Sequence, residues 1–452
     1  MKIKLYRSST VGVKFKSFKI LTDPWLTEGE YYGSWHHYPP YNLPKRLNEI
    51  NSYNAIYISH IHPDHCSERT LLQINKNIPI YIHEYHSKFL KFKLEKLGFK
   101  IIELENGKRH QIFNEIYITI YAADNCDPKL CYKFNGCANF FLKDNKSQQI
   151  DSFSIIENKD YSILNLNDCP FELTSEILKK KLKLHKKIDL AMLGYGGAGP
   201  YPQCFDNLTL IEKKNEAIKK KKNFLMKAVN YLDIINPKYY LPFAGTYVLS
   251  GKLVNLNELR GLPTIDEAYK FIDNELRKKN LYIKAAKINV DKIFDLSEKK
   301  RNLDYKFLDN VKLNNYIKKI KKIKFDYEKD KNVSANEIYN LAKLAFVNYL
   351  KKKIDLNIYI NSDIFFKIKK YFIMINSSKN VITMLELKKD EINKYSKSYV
   401  IFDLDERLFK RILLGPKFAH WNNAEIGSHI KFFRYPDIFE RNLHASISYF
   451  HC

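Results

Sequence analysis

Long apolar runs are missing from this sequence, and cysteine is scarce. No stretch of about 18 apolar residues occurs, and residues 1–7 lead directly into alternating strand-like sequence without an apolar signal core. Seven cysteines at irregular positions in 452 residues are too few and too uneven for the disulfide framework of a secreted protein. We therefore predict a cytoplasmic protein with reduced thiols, neither exported nor membrane-spanning.

Glycine and proline are also scarce, which argues against disorder. There are 15 of each, against a hydrophobic fraction of 45% and an aromatic fraction of 14%. This balance is typical of a packed globular protein. A chain of 452 residues exceeds what one hydrophobic core usually serves, so we expect two domains.

Acidic residues are outnumbered, with 50 Asp and Glu against 76 Lys and Arg and a net charge of +26. The excess is mostly lysine, in short runs at residues 179–181, 219–222 and 351–353 within helix-like stretches. No nucleic-acid-binding motif accompanies the charge, so we interpret the runs as solvated helix faces and expect no nucleic-acid partner. An anionic small-molecule substrate would still benefit from the positive field.

Strand-like and helix-like segments alternate over residues 1–295, which predicts an α/β sheet covered by helices. Helices are predicted from residue 68, over 86–97 and over 208–234. A charged stretch at 297–302 marks a boundary, and residues 300–452 are predicted to form a smaller α+β domain. The predicted strands are residues 2–5, 11–15, 18–21, 55–59, 78–82, 101–104, 116–122, 161–166, 188–193 and 239–243.

The densest group of potential metal ligands lies in residues 58–65, Ile-Ser-His-Ile-His-Pro-Asp-His. His60 and His62 extend from a strand end and can face the same way, while Asp64 and His65 return from the following turn. Imidazoles and carboxylates suit zinc, iron or manganese. The spacing predicts two adjacent metal pockets, with a structural histidine cluster as the alternative.

This spacing is that of the metallo-β-lactamase superfamily, and five further segments narrow the resemblance to one branch. They are residues 23–26, 35–40, 165–169, 196–205 and 241–245. Together they resemble the metallo-β-lactamase-like part of the CMP-N-acetylneuraminate (CMP-sialic acid) hydroxylase family, and residues 421 and 435–439 resemble its C-terminal end. The resemblance implies an αβ/βα sandwich over residues 1–295.

The resemblance also implies roles for individual residues. Asp168 matches an aspartate that bridges two metals, although it could instead cap the next turn. Asp64 would orient the reacting water in a hydrolase and is predicted to be catalytic. The glycine-rich loop 196–205 would let backbone amides approach an anion, or would form an ordinary turn. The predicted substrate-binding residues are Asp23, Trp25, His37, Gly197, Gly199, Tyr201 and Phe243.

Two histidines of the superfamily have no counterpart here. After the strand 116–122 the sequence offers Asp124 and Asp127, and the terminal histidine is replaced at Ala244 or Gly245. If Asp124 joins His60 and His62, the first pocket has two histidines and a carboxylate, a set typical of non-haem iron. We therefore predict one or two iron ions, with zinc as the alternative, although Asp124 could simply cap a turn.

The paired Cys-x-His and Cys-x-x-His spacing of a Rieske centre does not occur in the sequence. Cys126, Cys131 and Cys137 are interpreted as incidental. A hydroxylase built from this chain would need a separate electron-transfer protein. The predicted function is an iron-dependent oxygenase acting on an anionic sugar or sugar nucleotide in surface-glycan synthesis. The alternatives are a metal-dependent hydrolase of a phosphodiester, ester or lactone, and a non-catalytic sugar- or nucleotide-binding protein.

Overall fold

A computed structural model describes residues 1–127, 129–130, 151–298 and 305–452. Cys131, Cys137 and residues 299–302 of the charged stretch lie outside these residues. The described part contains two seven-stranded sheets, a two-stranded pair and a five-stranded sheet. No described helix combines the length and the apolar character needed to cross a membrane.

The first sheet is antiparallel at one edge and parallel at the other. Antiparallel pairing connects its first four strands, and parallel pairing connects the last four. In spatial order the strands are Ile293–Asp295, Lys2–Arg7, Thr10–Lys14, Lys19–Thr22, Ala55–Tyr57, Ile80–His83 and Ile101–Leu104.

The second sheet has the same mixed character. Its first four strands are parallel and the remaining pairs are antiparallel. In spatial order the strands are Lys284–Ala285, Tyr239–Phe243, Leu190–Gly194, Ser162–Asn165, Ser152–Glu157, Ile116–Ala122 and Arg109–Phe113.

The two sheets pack against each other and carry helices on their outer faces. One core cluster combines residues of both sheets, such as Ile20 and Tyr57 from the first with Ile163 and Leu241 from the second. Separate clusters join each sheet to its own helices. The helices that the structure describes here are Glu30–Gly33, Leu43–Ile50, Glu68–Leu71, Phe89–Lys96, Phe171–Lys181, Leu210–Ile235 and Ile265–Lys278, with 3-10 helices at Leu182–Leu184 and Gly251–Leu259.

Local sequence explains where the longest of these helices begins and ends. Thr209 accepts a hydrogen bond from the backbone N–H of Glu212, whose carboxylate accepts from the Thr209 backbone, so the two residues satisfy each other's amides. Asn236 ends the helix in a left-handed conformation with φ of 46°. The predicted helix over 208–234 is thus Leu210–Ile235, and the strands predicted at 101–104, 116–122 and 239–243 are found at those residues.

The C-terminal part is built on a five-stranded sheet. Its strands, in spatial order, are Val381–Glu386, Tyr371–Asn376, Asp363–Ile368, Tyr399–Asp403 and Lys431–Tyr435. The helices after residue 305 are Asn310–Ile320, Ala335–Asp355, Glu406–Leu413, Trp421–Ile426 and Arg441–Ile447, with 3-10 helices at Asp326–Lys329 and Lys389–Lys394.

One hydrophobic cluster joins the C-terminal part to the N-terminal sandwich. It includes Trp25, Tyr31 and Trp35 together with Phe325 and Trp421. The two-stranded pair of Trp35–His36 with Val248–Leu249 lies in the same region. The mixture of helices and strands after residue 305 agrees with the predicted α+β composition, while the division into two domains at residues 295–300 stays a prediction.

Candidate metal centre

The candidate ligands lie where parallel strands of both sheets end. Asp23 directly follows the strand Lys19–Thr22, and the histidine-rich segment follows the neighbouring strand Ala55–Tyr57. Asp168 follows Ser162–Asn165 of the second sheet. Loops beyond the carboxyl ends of parallel strands are a common place for functional residues in α/β proteins, because neighbouring strands deliver their following residues to the same edge.

Two sets of three side chains are placed to hold a metal ion. His60, His62 and Asp151 form one set, and His60, His65 and Asp168 form the other. Within each set the candidate ligand atoms lie within 4.8 Å of one another. His60 belongs to both sets, so the two pockets are adjacent, as the spacing predicts.

Two histidine nitrogens at this site are buried and unpaired. Nε2 of His60 and Nε2 of His65 have no hydrogen-bond partner. Carboxylate oxygens face them, with His60 Nε2 lying 3.7 Å from Asp151 Oδ1 and His65 Nε2 lying 3.3 Å from Asp168 Oδ2. A buried donor or acceptor without a partner is costly. Free imidazole nitrogens beside carboxylates therefore fit a transition-metal ion well.

A buried polar group behind the histidines sets their orientation. Asp23 is fully buried, and its carboxylate accepts hydrogen bonds from Ser59 N (2.7 Å) and Ser59 Oγ (2.8 Å). Its Oδ2 also lies 2.9 Å from His65 Nδ1, and Ser59 Oγ lies 2.9 Å from His60 Nδ1. The Nδ1 atoms of both histidines are thus occupied, which directs their Nε2 atoms toward the pockets.

The three histidines differ in the direction in which their surroundings shift their pKa values. Burial lowers the pKa of His60 to about 3, and burial together with His60 lowers the pKa of His62. Burial opposes protonation of His65 as well, but Asp168, Asp64 and Asp23 outweigh it and raise the His65 pKa well above its usual value. Burial raises the pKa of Asp151 to about 6.

Asp64 is held from one side by a tyrosine. The Tyr31 hydroxyl donates a hydrogen bond of 2.5 Å to Asp64 Oδ1, and Asp64 Oδ2 lies 3.6 Å from His65 Nε2. Tyr31 itself has an unusual backbone conformation with φ of 50°. Asp64 is outside both three-residue sets, so its roles as ligand and catalytic residue stay predictions, with geometry that places it beside the second pocket.

The carboxylate grouped with His60 and His62 is Asp151, whereas the sequence pointed to Asp124, whose role as a ligand stays a prediction. Asp124 is buried, and its Oδ1 accepts a hydrogen bond of 2.9 Å from Cys126 N, as a turn-capping residue does. Ser152 pairs with Ala122, and Ala123 N donates to Asp151 O across the antiparallel strands. Asp151 and Asp124 therefore lie at the same sheet edge. Of the two, Asp151 belongs to a set of three potential ligands with His60 and His62.

Several residues predicted to bind substrate are instead part of the packed interior. Asp23 supports His65, as described above. Trp25 and His37 are buried with ring centroids 3.9 Å apart, and burial lowers the pKa of His37 to about 4. Phe243 is a member of the core between the sheets. Their burial leaves little side-chain surface for a substrate, and their substrate-binding roles stay predictions.

The glycine-rich loop is a tightly packed turn. A side chain at Gly197 would meet the Phe224 ring at 2.0 Å, whereas Gly199 has open space around it but a φ of 101°. Tyr201 is half-buried, and its hydroxyl donates to Glu216 Oε2 at 3.0 Å. The interpretation as an ordinary turn therefore fits Gly197, Gly199 and Tyr201, and no described contact links them to the metal pockets.

The C-terminal part reaches the site through residues 420–429. Asn422 Nδ2 lies 3.2 Å from His62 Nε2. His429 Nε2 lies 2.7 Å from Tyr31 O, and His420 N donates to the Tyr32 hydroxyl at 2.7 Å. The sequence held only a weak signal for this, since residues 421–429 are rich in amide and histidine side chains after a tryptophan.

Facing mixed sheets, outer helices and a histidine-rich ligand segment at their shared edge define a metallo-β-lactamase fold, as predicted. No protein-family model matches the chain. Sequence similarity nevertheless connects it to a particular group of curated proteins, the cytidine monophosphate-N-acetylneuraminic acid hydroxylases. This confirms the resemblance predicted from the motifs.

The similarity to these hydroxylases is partial. Over 237 residues the chain is 28% identical to the hydroxylase of Danio rerio, covering 51% of this chain and 35% of the relative. It is 27% identical over 251 residues to that of Mus musculus, covering 53% and 38%. The inactive Homo sapiens protein is 27% identical over 248 residues, covering 53% and 44%. The chain thus spans between 35% and 44% of the length of these relatives.

Solved structures with a similar arrangement are distant in sequence. An isothiocyanate hydrolase from Delia radicum gut bacteria aligns with 66% of this chain and 100% of its own, at 14% identity and a TM-score of 0.44. The diiron β-hydroxylase CmlA from Streptomyces venezuelae aligns with 65% of this chain and 53% of its own, at 12% identity and a TM-score of 0.40.

Proposed function

We propose that this protein is an iron-dependent oxygenase that hydroxylates an anionic sugar or sugar nucleotide. The observation that carries the proposal is the pocket of His60, His62 and Asp151, which combines two histidines with one carboxylate. Such a set is typical of non-haem iron and leaves coordination positions for oxygen or substrate. The sequence similarity to hydroxylases supports the same reaction class.

The residues that would hold the metal are those of the two sets, with His60 shared between them. Iron at this site would supply the activation of dioxygen. Ser59 and Asp23 keep the Nε2 atoms of His60 and His65 directed at the pockets, and Tyr31 keeps Asp64 beside them. These buried supports hold the ligand atoms in place before any substrate arrives.

The overall reaction requires an external source of electrons. Conversion of a C–H bond to C–OH by one dioxygen molecule, with release of one water, consumes two electrons and two protons. We therefore propose a separate electron-transfer protein as the partner. The net charge of +26 favours approach of an anionic substrate and of an acidic donor protein.

The test combines metal analysis with a turnover assay. We would purify the full chain without a His tag, determine its metals by elemental analysis, and compare wild type with His62→Ala. We would then add CMP-N-acetylneuraminate, dioxygen and an electron source, either a chemical reductant or a ferredoxin with its reductase. Oxygen uptake and the mass of the product, expected to be heavier by one oxygen atom, are the two readouts.

Iron in the wild type, reduced in His62→Ala, together with the hydroxylated product supports the proposal. Zinc without oxygen uptake, together with cleavage of a phosphodiester, ester or lactone, would replace it with the hydrolase. Absence of any bound metal, even after reconstitution with iron or zinc, would overturn a catalytic metal centre and leave a binding protein.

A further inference from the structure

Each of the three histidines at the metal centre has a polar partner on one ring nitrogen. His60 Nδ1 lies 2.9 Å from Ser59 Oγ, and His65 Nδ1 lies 2.9 Å from Asp23 Oδ2. Both partners belong to the sandwich itself. His62 differs, because its partner is Asn422, which lies 360 positions later in the chain.

The partner of His62 is also on the opposite ring nitrogen. Asn422 Nδ2 lies 3.2 Å from His62 Nε2, whereas Ser59 and Asp23 occupy Nδ1 atoms. A metal-bound histidine normally binds through one nitrogen and gives the other to a hydrogen-bonding group. On this rule His60 and His65 would bind a metal through Nε2, and His62 would bind it through Nδ1.

Asn422 is exposed, but contacts of its neighbours in the chain fix the position of its backbone. It is the second residue of the helix Trp421–Ile426, and Trp421 is buried with its indole N–H donating to Phe450 O at 3.2 Å. The residue before the helix, His420, accepts a hydrogen bond from Asn422 N. His420 is in turn bonded through its backbone to the Tyr32 hydroxyl.

The same C-terminal surface supports the neighbouring strained segment. Tyr31 and Tyr32 have φ values of 50° and 61°, a conformation that non-glycine residues adopt only when surrounding contacts impose it. His429 contacts the Tyr31 carbonyl and His420 contacts the Tyr32 hydroxyl. Because the Tyr31 hydroxyl bonds Asp64, these contacts reach a second residue of the centre.

We infer that Asn422 is the positioning residue of His62, so that the C-terminal part completes the metal centre of the N-terminal sandwich. With His62 bound through Nδ1, its Nε2 carries the proton, and the Asn422 amide presents its oxygen to accept that hydrogen bond. The two amide orientations of an asparagine occupy the same space, so a rotation of the amide group is sufficient. This inference rests on the metal centre proposed above.

The first experiment measures metal affinity in the full chain. We would titrate wild type, Asn422→Ala, Asn422→Leu and Asn422→Asp with Co²⁺ and follow the visible absorption of the bound ion. Loss of an outer hydrogen-bonding partner typically weakens metal binding by about ten- to a hundredfold. We expect that loss in Asn422→Ala and Asn422→Leu, and recovery in Asn422→Asp, because a carboxylate can accept from Nε2–H.

Asn442→Ala is the matched control. Asn442 lies in the same C-terminal part, and its side chain donates to Tyr359 O at 3.0 Å, so its removal disturbs the local structure without touching His62. Its Co²⁺ affinity should equal that of wild type. Equal far-ultraviolet circular dichroism of all variants would show that they fold.

The second experiment identifies the coordinating nitrogen directly. Two-bond ¹H–¹⁵N correlation spectra of the zinc-loaded protein, with His62→Gln used for assignment, should show His62 bound through Nδ1 with a proton on Nε2. Coordination through Nε2, or unchanged Co²⁺ affinity in Asn422→Ala and Asn422→Leu, would overturn the inference while leaving the metal centre intact. Absence of metal binding in the wild type would overturn both.

Discussion

The two metal pockets share His60 but differ in how the fold supports them. In the pocket with His65 and Asp168, the histidine is fastened by Asp23, which is fully buried in the sandwich. In the pocket with His62 and Asp151, His62 is partly accessible and contacts Asn422 of the C-terminal part. The pocket with His65 and Asp168 is therefore supported within the sandwich, whereas we infer that the pocket with His62 and Asp151 depends on how the two parts pack.

The sharpest way to separate the pockets is to remove ligands one at a time. His60→Ala should abolish binding at both pockets, while His62→Ala and Asp151→Ala should each remove one metal equivalent and leave the other. Elemental analysis and Co²⁺ titration would measure this. Asp124→Asn is the control and should keep full stoichiometry, because its carboxylate caps a turn. Loss of one equivalent in Asp124→Asn would instead restore that residue as a ligand.

Asp23 and Asp168 differ in burial, and this difference should appear in the free energy of unfolding of the metal-free protein. Asp23→Asn removes the charge from a fully buried group bonded to His65 and Ser59, and should lower the free energy of unfolding by about 3–5 kcal/mol. Asp168→Asn changes a carboxylate whose side chain is 33% exposed, so solvent screening should limit the loss to about 1 kcal/mol. Urea unfolding would measure both.

Equal losses in the two variants would mean that Asp23 and Asp168 support His65 alike. A larger loss in Asp168→Asn would show that the His65–Asp168 pair, rather than the group around Asp23, determines the orientation of His65.

A smaller effect should come from the contact between the C-terminal part and Tyr31. Burial lowers the pKa of His429 to about 4, below its unfolded value of about 6.5. The unfolded state therefore binds more protons between these values, and the stability contributed by neutral His429 is lost as pH falls from about 6.5 toward 4. His429→Gln, which can still donate to Tyr31 O, should flatten this part of the stability curve.

Urea unfolding at several pH values would test this effect, with His86→Gln at an exposed position as the control. His37 shares the same pH window, since burial lowers its pKa to about 4, so a residual slope should remain in His429→Gln. An unchanged slope in His429→Gln would contradict the assignment of the acid sensitivity to this contact.

The sequence by itself determined the part of the site whose residues are close together along the chain. His60, His62 and His65 lie within six residues after one strand, so the geometry of a single strand end brings them together. The alternating pattern also determined the α/β class and several strands, such as Ile116–Ala122 and Tyr239–Phe243, because apolar runs bounded by turns identify buried strands.

Tertiary structure alone decided the contacts between distant segments. Asp151 and Asp124 lie at the same sheet edge, and the chain order does not show that Asp151, whose neighbour Ser152 donates to Ser59 O, lies beside the histidines. Asn422 reaches His62 because a shared aromatic core packs the C-terminal part against the sandwich. Strand register and the packing of one part on another depend on the whole chain, and no local pattern of residues carries that information.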